Sequence, residues 1–418
     1  VVLGSGRIQI AVAFSVLALS GCRHEAPTPA ATPPASQLEP VVSGPDDTGY
    51  SGRLRLASIF PSLGRYAISG QQSVKGARLA VDEINRRGGV QGRQLELLEY
   101  NTGSYFIDAR HAAELAIQAQ ALALIGSNSS SLSMAVAEMA EAAGVVQISN
   151  VSTAQDLTWD PATGKNRRFV FRVCSSDVVI GARLAEFARD YLRAHRVAVL
   201  YEVGRVYSAK LARSFIDQFA DEPAGRLVEE LSYLPLETDF RTQLAAVGAF
   251  GADVLFVPGS STDSTLIAIQ AERMGIRPTL LGADGWSNPL LFARGGPSRP
   301  AYHADLCDPP ATFVDRYRQA FGEEPSGCRA VLAHEAVTAV AAALQKLGPL
   351  SEADLRTSVS ATRARLRDAL QGERVRGEVG TIAFDEHGDC RRGVAIMEIW
   401  KGPGGGYRPH LYRWLGER

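Results

Sequence analysis

Leu54-Arg55-Leu56-Ala57-Ser58-Ile59-Phe60 is a short apolar run, and Val74 to Arg87 follows it with Ala77, Ala80, Val81 and Ile84 on one helical face before stopping at Gly88-Gly89. A strand followed by an amphipathic helix is the start of a βαβ unit, and repetition of that unit builds a parallel sheet. The repetition is present. Leu95 to Leu98 reads as a second strand, Asp108 to Ala119 as a helix, Leu122 to Ile125 as a strand, Ser131 to Ala142 as a helix and Val145 to Ile148 as a further strand. These alternating steps predict one open, doubly wound α/β lobe.

The rhythm restarts after Phe171-Arg172. Helices are expected near Ile180 to Leu192, Ser208 to Phe219, Phe240 to Phe250 and Asp263 to Met274, alternating with strands at Val197 to Leu200, Leu227 to Leu231, Val254 to Val257 and Thr279 to Leu281. That is a second lobe of similar build. Helices at Ala311 to Phe321, Arg329 to Leu347 and Ala353 to Leu370 then give way to strand-like Thr381 to Phe384 and Val394 to Trp400. The expected organisation is residues 53–174 in lobe 1, 175–302 in lobe 2, 303–376 back in lobe 1, and 377–418 in lobe 2 and the hinge.

Upstream of the body, Arg7 precedes a mostly apolar run from Ile8 to Leu19, which ends in Leu19-Ser20-Gly21-Cys22. At ~1.5 Å per residue such a run falls well short of the ~30 Å core of a bilayer, so it reads as a cleaved export signal over residues 1–21. The tetrapeptide resembles a bacterial lipoprotein signal. That resemblance implies cleavage before Cys22, lipid on its thiol, and an extracytoplasmic protein anchored to the inner or the outer membrane. Residues 22–52 are rich in Pro and Ala and read as a tether.

The 44 basic residues nearly balance the 45 acidic ones, which argues against a nucleic-acid partner. Besides Cys22, the cysteines are Cys174, Cys307, Cys328 and Cys390, with no spacing suited to zinc. Cys307 and Cys328 flank one predicted helix, so a bridge between them is one reading and buried thiols are the other. No metal or cofactor is expected. Gly402 to Gly406 lacks the Lys and Ser/Thr of a phosphate loop and reads as a turn.

Several segments together resemble the periplasmic solute-binding proteins of the branched-chain amino-acid type. They are Lys75-Gly76-Ala77-Arg78-Leu79-Ala80-Val81-Asp82-Glu83-Ile84-Asn85, Gly88-Gly89-Val90-Gln91-Gly92-Arg93, Gly126 with the serines after it, and Phe384-Asp385-Glu386-His387-Gly388-Asp389. The resemblance implies a type I periplasmic binding fold: two Rossmann-like doubly wound lobes joined by a multi-strand hinge, with a ligand cleft between them.

Residue by residue, it implies that Ser130, beside Ser129, holds the ligand's α-carboxylate. A helix start with unpaired N–H groups and hydroxyls suits that task, although serine also caps helices with no ligand present. Thr153, near Val151 at a strand's carboxyl end, is implied to assist, against the plainer reading of a loop threonine. Asp284 is implied to pair with the ligand's ammonium, whereas Asp-Gly alone reads as a turn. Tyr207 is implied to close over the ligand, or else it packs on its own lobe. Positions that are aromatic in branched-chain binders fall at Ser69 and Ser260 here, with Trp286, Tyr66 and Tyr105 as candidate replacements that read equally as core or surface residues. Branched-chain specificity therefore does not follow.

The function expected is a lipoprotein that binds a small amino acid or amide and delivers it to the permease of an ABC importer. A ligand sensor that presents its closed form to a signalling partner is the alternative. A hydrolase built on the serines with His111, His195 or His334 is a third class, but no Gly-x-Ser-x-Gly elbow accompanies them.

Overall fold

The computed structural model describes residues 52–220, 226–287, 299–401 and 407–416. The leader, Cys22, nearly all of the tether and the turn Gly402 to Gly406 lie outside the described residues.

Two sheets organise the body. The first is wholly parallel, in the order Leu95–Asn101, Leu54–Phe60, Ala123–Gly126, Val146–Ser149, Val170–Arg172. The second has seven strands in the order Tyr407–Leu415, Val394–Lys401, Ala301–Asp305, Thr279–Gly282, Val254–Phe256, Arg196–Glu202, Leu227–Tyr233. Its last five are mutually parallel, whereas Val394–Lys401 runs antiparallel to Ala301–Asp305 and to Tyr407–Leu415. The second sheet is thus a doubly wound sheet extended by an antiparallel edge. In each sheet the strand order reverses next to the first strand, between Leu54–Phe60 and Ala123–Gly126 and again between Arg196–Glu202 and Val254–Phe256. Open α/β sheets place ligands in the crevice at such reversals.

Helix Arg329–Lys346 is buried on nearly every face and lies against helix Ala67–Arg86. Close approach is possible because residue 76 is glycine: a Cβ there would stand 2.0 Å from the Ala330 carbonyl oxygen. Between the sheets the chain is pinned by charge. Fully buried Arg172 donates from Nε to Asp389 Oδ1 at 2.6 Å and from Nη1 to the Thr153 and Ala154 carbonyls at 2.7 and 2.8 Å. Arg392 and Glu335, also buried, pair at 2.5 Å, and Glu335 accepts the Val379 N–H at 2.9 Å. Removing one partner of such a pair leaves a charge out of water without compensation, at about 3–5 kcal/mol.

Cys307 and Cys328 form a disulfide with a Cα–Cα distance of 5.7 Å across helix Ala311–Phe321. Cys174 and Cys390 are free and buried, and burial pushes both thiols above the usual range. Among the described residues no helix is long and apolar enough to cross a membrane.

Several elements differ from the sequence expectation. The first helix begins at Ala67 rather than Val74. Its opening turns are polar and small, and Gly70 is needed where a Cβ would stand 1.8 Å from the Pro61 carbonyl oxygen. Ala353 to Leu370 is two helices, Glu352–Arg356 and Val359–Gln371. The break is stitched by the Ser358 N–H to the Ala353 carbonyl at 2.9 Å and the Thr362 hydroxyl to the Asp354 carbonyl at 2.8 Å. Ile180 to Leu192 is an α-helix, Asp177–Glu186, that widens into a π-helical turn at Phe187–Tyr191. Strands Ala301–Asp305 and Tyr407–Leu415 carry no clear alternating signature in sequence and owe their form to pairing in the sheet.

Candidate functional site

Both strand-order reversals open onto one cavity of about 580 Å³. From the first sheet it is lined by Arg65, Tyr66 and Ser69 after strand Leu54–Phe60, and by Asn128, Ser129, Ser130 and Ser131 after strand Ala123–Gly126. Arg205, Val206 and Tyr207, then Ser260 to Asp263, and finally Asp284 and Gly285 line it from the second sheet, while Arg329 comes from the start of its long helix.

The first-sheet wall is a braced turn. Gly126 has φ +125, and a Cβ there would stand 2.5 Å from the Ile59 carbonyl oxygen, so only glycine fits. The Ser127 carbonyl accepts the hydroxyls of Ser133 at 2.9 Å, Ser149 at 3.0 Å and Ser152 at 3.3 Å. Gln147 Nε2 donates to the Gly126 and Ser133 carbonyls at 2.8 and 3.0 Å. These buried bonds hold the start of helix Ser130–Ala143 in place. Ser129 is its N-cap residue, yet its side chain makes no cap bond. The helix N–H groups and the Ser129 and Ser130 hydroxyls therefore border the cavity with acceptor-seeking hydrogens.

The second-sheet wall is charged. Tyr207 Oη donates to Asp284 Oδ1 at 2.8 Å and accepts the Gly285 N–H at 3.1 Å. Gly285 is required beneath the ring: a Cβ there would stand 2.4 Å from the Gly259 carbonyl oxygen. Burial pushes the Asp284 carboxyl up, against the Tyr207 hydrogen bond and the nearby Arg329 cation, which pull it down. Burial, then the adjacent Asp284 charge, holds the Tyr207 phenol well above its usual range. Behind Asp284, burial raises buried Asp177 and buried Asp305 each to about 7.

A cross-sheet clasp closes one side. Arg65, in the loop of the first sheet, reaches both carboxylate oxygens of Glu202 at 3.2 Å and Asp263 at 3.4 Å. Glu202 also accepts from Arg205 at 3.2 Å, and the Arg205 guanidinium lies 5.7 Å from the ring centres of Tyr66 and Tyr207.

Of the residues singled out in sequence, Ser69, Ser129, Ser130, Val151, Tyr207, Ser260 and Asp284 meet at this cavity, as does Tyr66. Thr153 and Trp286 are not among its lining. Thr153 is fully buried and its main chain is engaged, its carbonyl accepting from Arg172 and from the Asp177 N–H. Trp286, 1% exposed, packs its ring under Gly282 and donates its indole N–H to the Val257 carbonyl at 3.0 Å. Its candidacy as a replacement for the aromatics missing at Ser69 and Ser260 gives way to the other reading of a large apolar ring, a place in the core. Tyr105 is exposed away from the lining, and Ser260 caps helix Ser261–Arg273 by accepting the Asp263 N–H. Sequence reading passed over Arg65, Asn128, Arg205 and Arg329. Arg205 stood beside Tyr207 in the strand-end loop, which was the available signal; Arg329 opens a helix and carries none.

Comparison with known proteins identifies the family. The family model for the periplasmic binding protein matches residues 53–403. The leucine-, isoleucine-, valine-, threonine- and alanine-binding protein of Pseudomonas aeruginosa is 25% identical over 354 residues, covering 83% of this chain and 90% of its own. A leucine binding protein from Thermotoga maritima superposes with a TM-score of 0.74 at 27% identity, covering 86% of this chain and 98% of the other. A branched-chain amino acid transporter substrate binding protein from Streptococcus pneumoniae, in complex with isoleucine, gives 0.73 at 24% identity over 87% of this chain and 100% of the other, and supports the fold. The chain belongs to the periplasmic binding protein family. Its members are solute-binding proteins rather than enzymes, which removes the hydrolase reading.

Proposed function

We propose that this chain is an extracytoplasmic lipoprotein that binds a small amino acid or amide between its two sheets and hands it to the permease of an ABC importer. Supporting it most is one cavity bordered on one side by the hydroxyl- and amide-bearing start of helix Ser130–Ala143 and on the other by the Tyr207-held carboxylate of Asp284. The two walls match the two ends of a zwitterion: N–H and O–H groups for the carboxylate, a carboxylate for the ammonium. Ser129 and Ser130 act first, Val151 and Ser69 floor the site, and Tyr207 and Asp284 come down as the sheets approach. Contacts made only in the closed form shift the population toward it, and the permease reads that form. Lipid on Cys22 keeps the body at the membrane. Thr153, its carbonyl held by the buried Arg172, stands behind the site.

The test is a thermal-shift screen of amino acids, amides and short peptides on the purified chain, with Asp284→Asn in parallel. A ligand bound only by the native state raises the melting temperature. The reading expects at least one zwitterion to do so with the unaltered chain and to fail with the variant. No shift with any zwitterion refutes it.

A further inference from the structure

Three guanidinium groups line the cavity, and their surroundings differ. Arg65 is neutralised by Glu202 and Asp263, and Arg205 by Glu202. Arg329 has no carboxylate within ion-pair distance among the described residues. Its Nε donates to Ser69 Oγ at 2.6 Å and its Nη2 to the Asp284 carbonyl at 3.3 Å, which are neutral acceptors. Ser69 also accepts from Asn128 Nδ2 at 2.7 Å. The other end of the Asn128 amide, Oδ1, has no hydrogen-bond partner, although the residue is only 9% exposed and lines the cavity. A buried polar atom left unpartnered is unfavourable, and half-buried Arg329 meets only neutral acceptors at hydrogen-bond distance, the Asp284 and Asp305 carboxylates acting on it from beyond ion-pair distance.

The first is relieved within the protein, and a ligand can answer the second. Ser69 is a hydroxyl and can donate to the Asn128 oxygen instead of accepting from its nitrogen, so a half-turn of the amide presents its N–H₂ to the cavity. Arg329 and Asn128 then offer converging N–H donors, the arrangement that suits a carboxylate. An aliphatic side chain gives them nothing. The cavity also has room: at ~30 Å³ per water, its volume of about 580 Å³ corresponds to about twenty waters, more than a leucine fills.

We propose that Arg329, with Asn128 and Ser69, is a specificity-determining subsite for a carboxylate on the ligand's side chain, so that the preferred ligand is an acidic amino acid of the glutamate or aspartate kind. This rests on the zwitterion reading above and adds the side-chain class to it.

Calorimetry of the full chain with L-glutamate, L-aspartate, L-glutamine and L-leucine tests it, repeated on Arg329→Gln and Asn128→Ala. The expected result is that one of the acids binds about a hundredfold tighter than leucine, the scale set by truncating one partner of a buried charge pair. Arg329→Gln should erase that preference while changing glutamine or leucine affinity less than about threefold. Asn128→Ala, which leaves the guanidinium in place, should weaken the acids by about tenfold and the neutral ligands little. Leucine binding as tightly as both acids overturns the subsite and leaves the zwitterion reading standing. So does an Arg329→Gln variant that weakens acids and neutral ligands alike, since Arg329 then serves the α-carboxylate. If none of the four binds and the wider screen finds no zwitterion, both readings fall together.

Discussion

The two walls of the cavity are built in opposite ways. Around the start of helix Ser130–Ala143 the first-sheet wall is neutral and braced: Ser127, Ser133, Ser149, Ser152 and Gln147 bond one another through buried hydroxyls and amides and hold the turn before the helix. The second-sheet wall depends on titratable groups, with Asp284 held by one phenol and Asp177 and Asp305 buried behind it. The contrast teaches how a zwitterion can be held. On the proposed reading, its negative end meets donors fixed before it arrives, which need little reorganisation. On the same reading, its positive end meets a carboxylate whose charge the protein itself disfavours through burial, so the ligand's ammonium would complete that wall.

Breaking the charged wall should have the largest effect. Asp284→Asn keeps the shape and the Tyr207 contact but removes the charge, and calorimetry should show amino-acid affinity falling about a hundredfold or more, the ~2–5 kcal/mol of a truncated buried charge pair. Binding by the unaltered chain should itself weaken on acidification. Asp284 has a raised pKa, the ammonium binds its ionised form, and affinity falls as pH drops through that pKa, with proton release on binding near it.

The same wall sets the pH dependence of stability. Asp177 and Asp305 are raised from 3.8 to about 7, so between about pH 4 and 7 the folded chain keeps protons that the unfolded chain has lost. Their contribution to stability therefore declines as pH rises through this window, by about 1.4 kcal/mol per pH unit for each such group, offset in part below about pH 6.5 by His303, which burial lowers to about 4. Urea melts at pH 5 and 7 should show the decline, and Asp177→Asn should make it shallower.

The neutral wall should respond less. Ser130→Ala removes one hydroxyl from a site that keeps its helix N–H groups, and calorimetry should show a loss of roughly tenfold, with the melting temperature of the free chain nearly unchanged. The clasp is smaller again. Arg65 is partly exposed, so Arg65→Met should weaken binding about threefold, chiefly through faster release in stopped-flow traces, and the difference should shrink in high salt.

The alternation of apolar runs with amphipathic segments made the two-sheet architecture readable, because buried parallel strands must be short and apolar and their crossover helices must show one apolar face. What escaped is physical in origin. Ala301–Asp305 and Tyr407–Leu415 take their form from neighbouring strands, and the early turns of helix Ala67–Arg86 bring Ile68, Ser69 and Gln72 to the cavity and so lack a continuous apolar face. Ser130, Tyr207 and Asp284 were legible through the resemblance, since each sits at a strand end or helix start where the backbone alone positions it. Arg65 and Arg329 were not, because nothing local distinguishes a cavity arginine from a surface one. Trp286 misled for the reverse reason: its size was visible, and the glycine it packs under was not read with it.

The central claim is that Asp284 recognises the ligand's ammonium across from the serine-lined helix start. It is tested most directly by a cycle that pairs the amino acid giving the largest thermal shift with its des-amino analogue, each titrated calorimetrically into the unaltered chain and into Asp284→Asn. The account predicts that the unaltered chain discriminates strongly against the analogue and that the variant binds the two within about threefold, a coupling of at least ~2 kcal/mol. Equal discrimination by both chains would contradict it.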